Sequence, residues 1–203
     1  MENELFYSLP RDLQKYDDEP ALISSAIAGD LESFNSLVLA YQNLVYNVAY
    51  RILGERFAAE DAAQEAFILA FRKLGTFRGG SFRSWLLRIV TNVCCDEFRR
   101  RRRNPTSRLE GEEDIKSLKW MVDPGKSPEA ELERVDLART IQACMDRLPL
   151  EHRLVVALVD IQGMDYVETA ETLGLPLGTV KSRLARARAR LSVCIQGIDG
   201  RRI

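Results

Sequence analysis

Glu60, Asp61 and Glu65 are carboxylates that a helix would gather on or near one side, and so clustered they invite a metal-binding or acid–base reading. That chemistry lacks its usual companions. The only histidine, His152, lies in the other half of the chain, and no Cys or His sits near the three acids. At helical spacing, Asp61, Gln64, Glu65 and Arg72 form one stripe with Ile68 among them. An exposed apolar residue ringed by polar ones fits a protein-docking face better than a catalytic one. No catalytic group, metal site or cofactor site is expected.

A second stretch, GTFRGGSFRSWLLRIVTNVCCDEFRRRRR, interleaves Phe77, Phe82 and Trp85 with Arg78, Arg83 and Arg88 around a Gly-Gly loop. Helical projection sets Trp85, Arg88, Asn92, Asp96 and Arg99 along one stripe, opposite Leu86, Val90, Val93 and Cys94. A π face, hydrogen-bonding side chains and cations in line suit unpaired bases and their phosphates. The loop from Phe77 to Phe82 has the composition to cradle a base taken out of the stack. Arg100, Arg101, Arg102 and Arg103 wrap around the helix axis, so they suit phosphates rather than bases.

A third stretch, DYVETAETLGLPLGTVKSRLARARARL, has the spacing of a helix-turn-helix. Small Ala170 permits close packing, Gly174 supplies the turn, and Val180 anchors the second helix. Thr179, Lys181, Ser182 and Arg186 are placed to enter a major groove, while Arg183, Arg188 and Arg190 can reach phosphates.

The elements that must position these groups are helical throughout. Leu31, Phe34, Leu37, Val38, Tyr41, Val45, Val48 and Ile52 recur at steps of three and four between a cap at Asp30 and a stop at Gly54. Further helices are expected over residues 21–28 and 57–74, after Ser81, and from about Leu132 onward. The fold class is therefore all-α, with two small helical domains joined by a linker. The boundaries fall at 1–20 for an N-terminal extension, 21–104 for the first domain, 105–128 for an acidic linker and 129–203 for the second domain. Leu118, Trp120, Met121 and Val122 form the linker's one apolar patch.

The 203 residues carry a formal charge of -1, with 46% apolar and 29% charged residues, as in a globular protein of one or two domains. The distribution of charge says more than the total. Residues 69–103 carry a net +8 and residues 174–203 a net +6, while 104–146 carry a net -4. Two basic blocks parted by an acidic one suggest two contacts with a polyanion. No apolar run approaches a membrane span, and the start lacks the pattern of a signal peptide, so a cytoplasmic location is expected. Cys94, Cys95, Cys144 and Cys194 show no CxxC pairing and are expected as reduced thiols.

In these three stretches the chain resembles bacterial extracytoplasmic-function (ECF) sigma factors of RNA polymerase. DAAQEAFILAF resembles the region-two segment that docks on core polymerase, and FRGGSFRSWLLRIVTNVCCDEFRRR the segment that melts and reads the minus-ten element. LPLEHRLVVALVDIQGMDYVETAETLGLPLGTVKSRLARARARL is similar to region four, which reads the minus-thirty-five element. The resemblance implies polymerase docking through Asp61, Gln64, Glu65, Ile68 and Arg72, with the β′ clamp and β flap as contacts. It implies handling of the non-template strand by the loop and third-helix stripe, and a linker threading towards the active-site channel. It also implies an anti-sigma partner that clasps both domains. Phe71 stands where the family usually has Trp, Trp85 is a single tryptophan, and Ala185 offers the reading face only a methyl group. A self-sufficient helix-turn-helix regulator is the main alternative; it would leave the Asp61–Arg72 face and the aromatic stripe without a use.

Overall fold

The computed structural model describes residues 18–103 and 128–199, and among them every regular element is helical. The expected N-terminal extension, apart from its last three residues, and the acidic linker with its apolar patch lie outside the described residues.

Helix α1 (Glu19–Ile27) begins at Asp18, whose carboxylate accepts from the Ala21 amide. Helix α2 (Leu31–Leu53) starts where the sequence places its cap. The Asp30 carboxylate accepts from the Glu32 and Ser33 amides, and Gly54 ends the helix at φ 74°, a conformation costly for residues with a Cβ. Helix α3 (Arg56–Lys73) is capped by Glu55 and passes through a short 3-10 turn at Leu74–Thr76. Helix α4 (Phe82–Arg103) follows the Gly79–Gly80 loop.

These four helices enclose one core. The apolar stripe of α2 is buried from Phe34 to Ile52, and α3 lays Ala58, Ala59, Ala62, Ala66 and Ala70 against it. Alanines on that face let α3 approach closely, which is why a helix with little bulk on its inner side packs well. Leu86, Leu87, Val90 and Cys94 of α4 close the core and are fully buried.

In the second half, α5 (Pro128–Asp146) leads to α6 (Leu150–Val156), which widens into a π-helical turn at Ala157–Ile161. The helix-turn-helix follows as α7 (Tyr166–Leu173) and α8 (Leu177–Asp199). Met145, Leu148, Val155, Val156, Val180, Leu184 and Ala187 form a core of their own. Leu154, Ala157, Leu158 and Met164, on the other side, join the core of the first half. Helix α6 and its π turn are thus buried on both sides.

One expectation is corrected here. Cys144 and Cys194 are joined in a disulfide, not held as reduced thiols, because α5 and the end of α8 lie together and bring their Cα atoms to 5.8 Å across 50 residues of sequence. Cys94 and Cys95 remain free, and burial pushes both thiols upward, so neither is a ready thiolate at neutral pH.

Candidate polymerase and nucleic-acid interfaces

Asp61, Gln64, Glu65, Ile68 and Arg72 all reach solvent from one side of α3, as their spacing predicts. Beside them the structure adds a feature that periodicity alone hides. An open groove of about 800 Å³ runs between α2 and α3, walled by Val38, Tyr46, Phe67, Ile68 and Phe71. Ile68 and Phe71 are 46% and 45% exposed, and the Phe71 ring lies 5.0 Å from Phe34. Val38 reads as an inward residue in sequence, yet its outer edge lines the groove. Apolar walls with Glu60, Gln64 and Arg72 at the rim give the groove the composition of a protein-docking surface.

The α4 stripe is present. Arg88, Asn92, Asp96 and Arg99 are exposed in line with half-buried Trp85. Asp96 and Arg99 pair with each other at 3.0 Å while both stay well exposed, a contact weak enough for DNA to displace. Phe77, Phe82 and Trp85 form one ring cluster, with centroids 5.4 to 5.6 Å apart. Phe82 is a correction: it is 3% exposed and packs edge-on against Tyr41, so it supports the cluster from beneath and offers no face to a base. Phe77 and Trp85 remain available at the edge. Beside the loop, where Gly79 and Gly80 take φ of 89° and 86°, a cavity of about 440 Å³ opens between α1 and α4. In its wall the Tyr41 hydroxyl donates to Glu19 Oε1 at 2.6 Å. Arg78 is exposed and donates to the Gly75 carbonyl at 3.1 Å.

The arginine run is less uniform than its sequence. Glu97 accepts from Arg100 at 2.7 Å and from Arg101 at 2.6 Å, and Arg101 also reaches Glu55, the cap of α3. The Arg100 hydrogen bond is the main cause holding the Glu97 carboxyl below its usual range. Arg102 and Arg103 are exposed at the end of the helix.

The helix-turn-helix matches its reading closely. Asp165 and Glu168 form a capping box at the start of α7, Gly174 takes φ 63°, and Val180 is fully buried. Lys181, Ser182, Ala185 and Arg186 are exposed near the start of α8, with Thr179 half-buried beside them. Arg183 is half-buried and Arg190 exposed. Arg188 differs in its partners: both its Nε and Nη2 donate to the Asp160 carboxylate, so phosphate contact would have to displace that fork. His152 is buried, and burial, followed by nearby Arg190, pushes its imidazole below its ordinary value of 6.5. The unfolded chain therefore takes up that proton more readily, and stability is expected to fall as pH drops below about 6.5. Thermal unfolding between pH 7.5 and 5.5 should show a shallower fall in His152→Gln. Equal slopes would remove His152 as the source.

Among the described residues no group of three or more His, Cys, Asp or Glu is arranged to hold a metal ion, and no helix is long and apolar enough to cross a membrane. Three residues that sequence reasoning passed over, Arg51, Gln142 and Arg153, are buried where the two halves meet. Their charge or polarity was visible in the sequence, but their burial was not.

An apolar groove, an exposed polar and basic stripe and a helix-turn-helix on one chain are the surfaces expected of a transcription-initiation subunit. Family comparison agrees: Sigma-70 region 2 matches residues 37–104, and Sigma-70, region 4 matches residues 138–191. The chain is 35% identical over 166 residues to the ECF RNA polymerase sigma factor SigW of Bacillus subtilis, covering 80% of this chain and 89% of that one. It is 38% identical over 172 residues to SigM of Mycobacterium tuberculosis, covering 84% and 81%. It is 40% identical to SigE of Mycolicibacterium smegmatis over 161 residues, a match that takes in 79% of this chain and 61% of that relative. The solved structure of CnrH in complex with the cytosolic domain of CnrY superposes with a TM-score of 0.61 at 27% identity, covering 89% of this chain and 99% of that one. The chain belongs to the ECF sigma factors of RNA polymerase.

Proposed function

We propose that this sigma factor docks on core polymerase through the α2–α3 groove and the Asp61–Arg72 face of α3. The Phe77–Trp85 edge and the α4 stripe then take the unpaired minus-ten strand, and the start of α8 reads the minus-thirty-five element. Bond-making chemistry stays with the polymerase, and the protein works in the cytoplasm. The observation that carries this reading is the apolar groove between α2 and α3 together with the exposed α4 stripe on the same chain, two surfaces that a self-sufficient helix-turn-helix regulator would not need. The test is direct: purified protein is added to core polymerase, and transcripts from genomic DNA are mapped. A new, discrete set of start sites is expected; a start-site pattern equal to that of core alone rejects the reading.

Arg102 and Arg103 are assigned to phosphates at the edge of the melted segment. Replacing both with Gln should lower the slope of log affinity against log salt by about 2 for the holoenzyme, with start sites unchanged. A slope equal to wild type returns these arginines to a solvated helix end.

CnrH was solved with the cytosolic domain of CnrY, and a partner of that kind is expected here. An anti-sigma factor covering the α2–α3 groove would compete directly with polymerase. In unstressed cells the protein should co-purify with such an inhibitor; recovery only as free protein or holoenzyme would count against it.

A further inference from the structure

The arginines of the two DNA-facing elements are not equally available. Near the end of α4, Glu97 accepts from Arg100 Nε at 2.7 Å and from Arg101 Nε at 2.6 Å. Arg101 Nη2 donates as well to Glu55 at 3.0 Å, and the Glu55 carboxylate in turn accepts from the Phe57 and Ala58 amides at the start of α3. Arg101 therefore lies between two carboxylates on two helices. Arg102 and Arg103 lie past the three- and four-residue steps that would bring them to Glu97, and both are exposed.

On α8 the arrangement recurs. Arg188 Nε donates to Asp160 Oδ2 at 3.1 Å and its Nη2 to Oδ1, a two-pronged pair that joins α8 to the π turn. The Tyr166 side chain also hydrogen-bonds Arg188, as an uncharged partner. In both clasps the carboxylate is the sheltered member: Glu97 is 15% exposed against 70% for Arg100, and Asp160 22% against 52% for Arg188. Water screens such a carboxylate less, so it holds its arginine more firmly. The Asp96–Arg99 pair is different in kind, because both of its side chains are well exposed and the attraction is weak.

A phosphate that takes Arg100 or Arg188 must displace a charged acceptor of similar geometry, so the new bond largely replaces one already made. The displaced carboxylate cannot leave. Glu97 and Asp160 stay beside the same arginines and would face the phosphate as like charges. Both effects weaken contacts made to phosphate alone. Binding to arbitrary duplex consists of little else, and it draws on every register that brings arginines to phosphates. In the promoter complex proposed above, base contacts fix a single register, so loose arginines add less.

We infer that Glu97 and Asp160 are specificity-determining residues: each clasps an arginine of a DNA-facing element and withholds it from non-promoter DNA, leaving discrimination to the base-reading side chains. Arg101 is held by Glu55 as well, so Arg100 is the arginine that Glu97 controls, and Arg188 is the one that Asp160 controls. The consequence for promoter choice rests on the sigma-factor reading; the clasps rest on the ion pairs alone.

The test uses the full chain with Glu97→Gln and, separately, Asp160→Asn, which keep side-chain shape and remove the charge. Glu171→Gln, an equal loss of charge at an exposed carboxylate of α7, is the control. Binding of the free protein to a duplex without promoter sequence is followed from about 50 to 200 mM salt. Glu97→Gln and Asp160→Asn should each bind about three- to tenfold more tightly at the lower salt, with a slope of log affinity against log salt steeper by about 1, one added phosphate contact. Helical circular dichroism should match wild type, and Glu171→Gln should leave affinity and slope close to wild type. With core polymerase added, several-fold less competitor duplex should titrate away promoter transcription by the two variants. Each carboxylate is judged by its own variant: affinity and slope no higher than in Glu171→Gln overturn its clasp. Tighter duplex binding with wild-type resistance to competitor overturns the role in specificity. If wild type gives core polymerase no discrete start sites, it is the sigma-factor reading that fails, and the duplex measurements still decide whether the clasps hold.

Discussion

Reduction of the Cys144–Cys194 disulfide lowers the stability of the protein by about 4 kcal/mol. The bond closes 50 residues of chain, from the buried end of α5 to the last turns of α8, around α6, the π turn and the helix-turn-helix. Cross-linking a loop of that length removes unfolded-state entropy worth about 4 kcal/mol, within the range seen when native disulfides are lost. The core of this half is small and contributed by α5, α6 and α8, so the covalent tie between α5 and α8 is a large share of what holds it. Urea unfolding with and without dithiothreitol measures the difference. The Cys144→Ser, Cys194→Ser double variant should match reduced wild type and lose its response to reductant. Superimposable curves for oxidised and reduced protein would show that the bond contributes nothing.

Ile68→Asp reduces affinity for core polymerase by about a hundredfold or more. Ile68 is 46% exposed beside the groove, so the change costs the free protein little. In the complex, an anchoring side chain is lost and a carboxylate is placed, desolvated, among Val38, Phe67 and Phe71. Truncating an anchor at a well-packed interface typically costs 2–4 kcal/mol, and an unpaired charge adds to that. Helicity and thermal stability should stay at wild-type values, and so should the variant's nonspecific binding to duplex DNA. A loss of less than about threefold would mean that polymerase binds elsewhere.

Much of this architecture is written locally. Asp30, Gly54 and Gly174 fix helix ends through their own side chains or positive φ, so each was readable without knowledge of the fold. The alternation of apolar and charged positions likewise placed Arg88, Asn92, Asp96 and Arg99 outside and Leu86 and Val90 inside, as found. Phe82 was misjudged because a helix start next to a glycine loop gives no period from which to infer its side. The packing of Tyr41 from α2 settled it. Arg188 and Arg186 look alike in the repeat ARARAR, yet one meets Asp160, 28 residues away, and the other meets solvent.

The sequence by itself determined the helices, their caps, the basic stripes, the helix-turn-helix and, through their order, the sigma-factor family. These follow from interactions within one or two turns, where spacing and chemistry coincide. Only the tertiary structure decided which cysteines pair, which arginines are buried, that α2 and α3 leave a groove, and that the two halves share a core. Each of those depends on residues far apart in the chain meeting in space, and burial, not residue type, then sets whether a charge is solvated or part of a buried contact between the two halves.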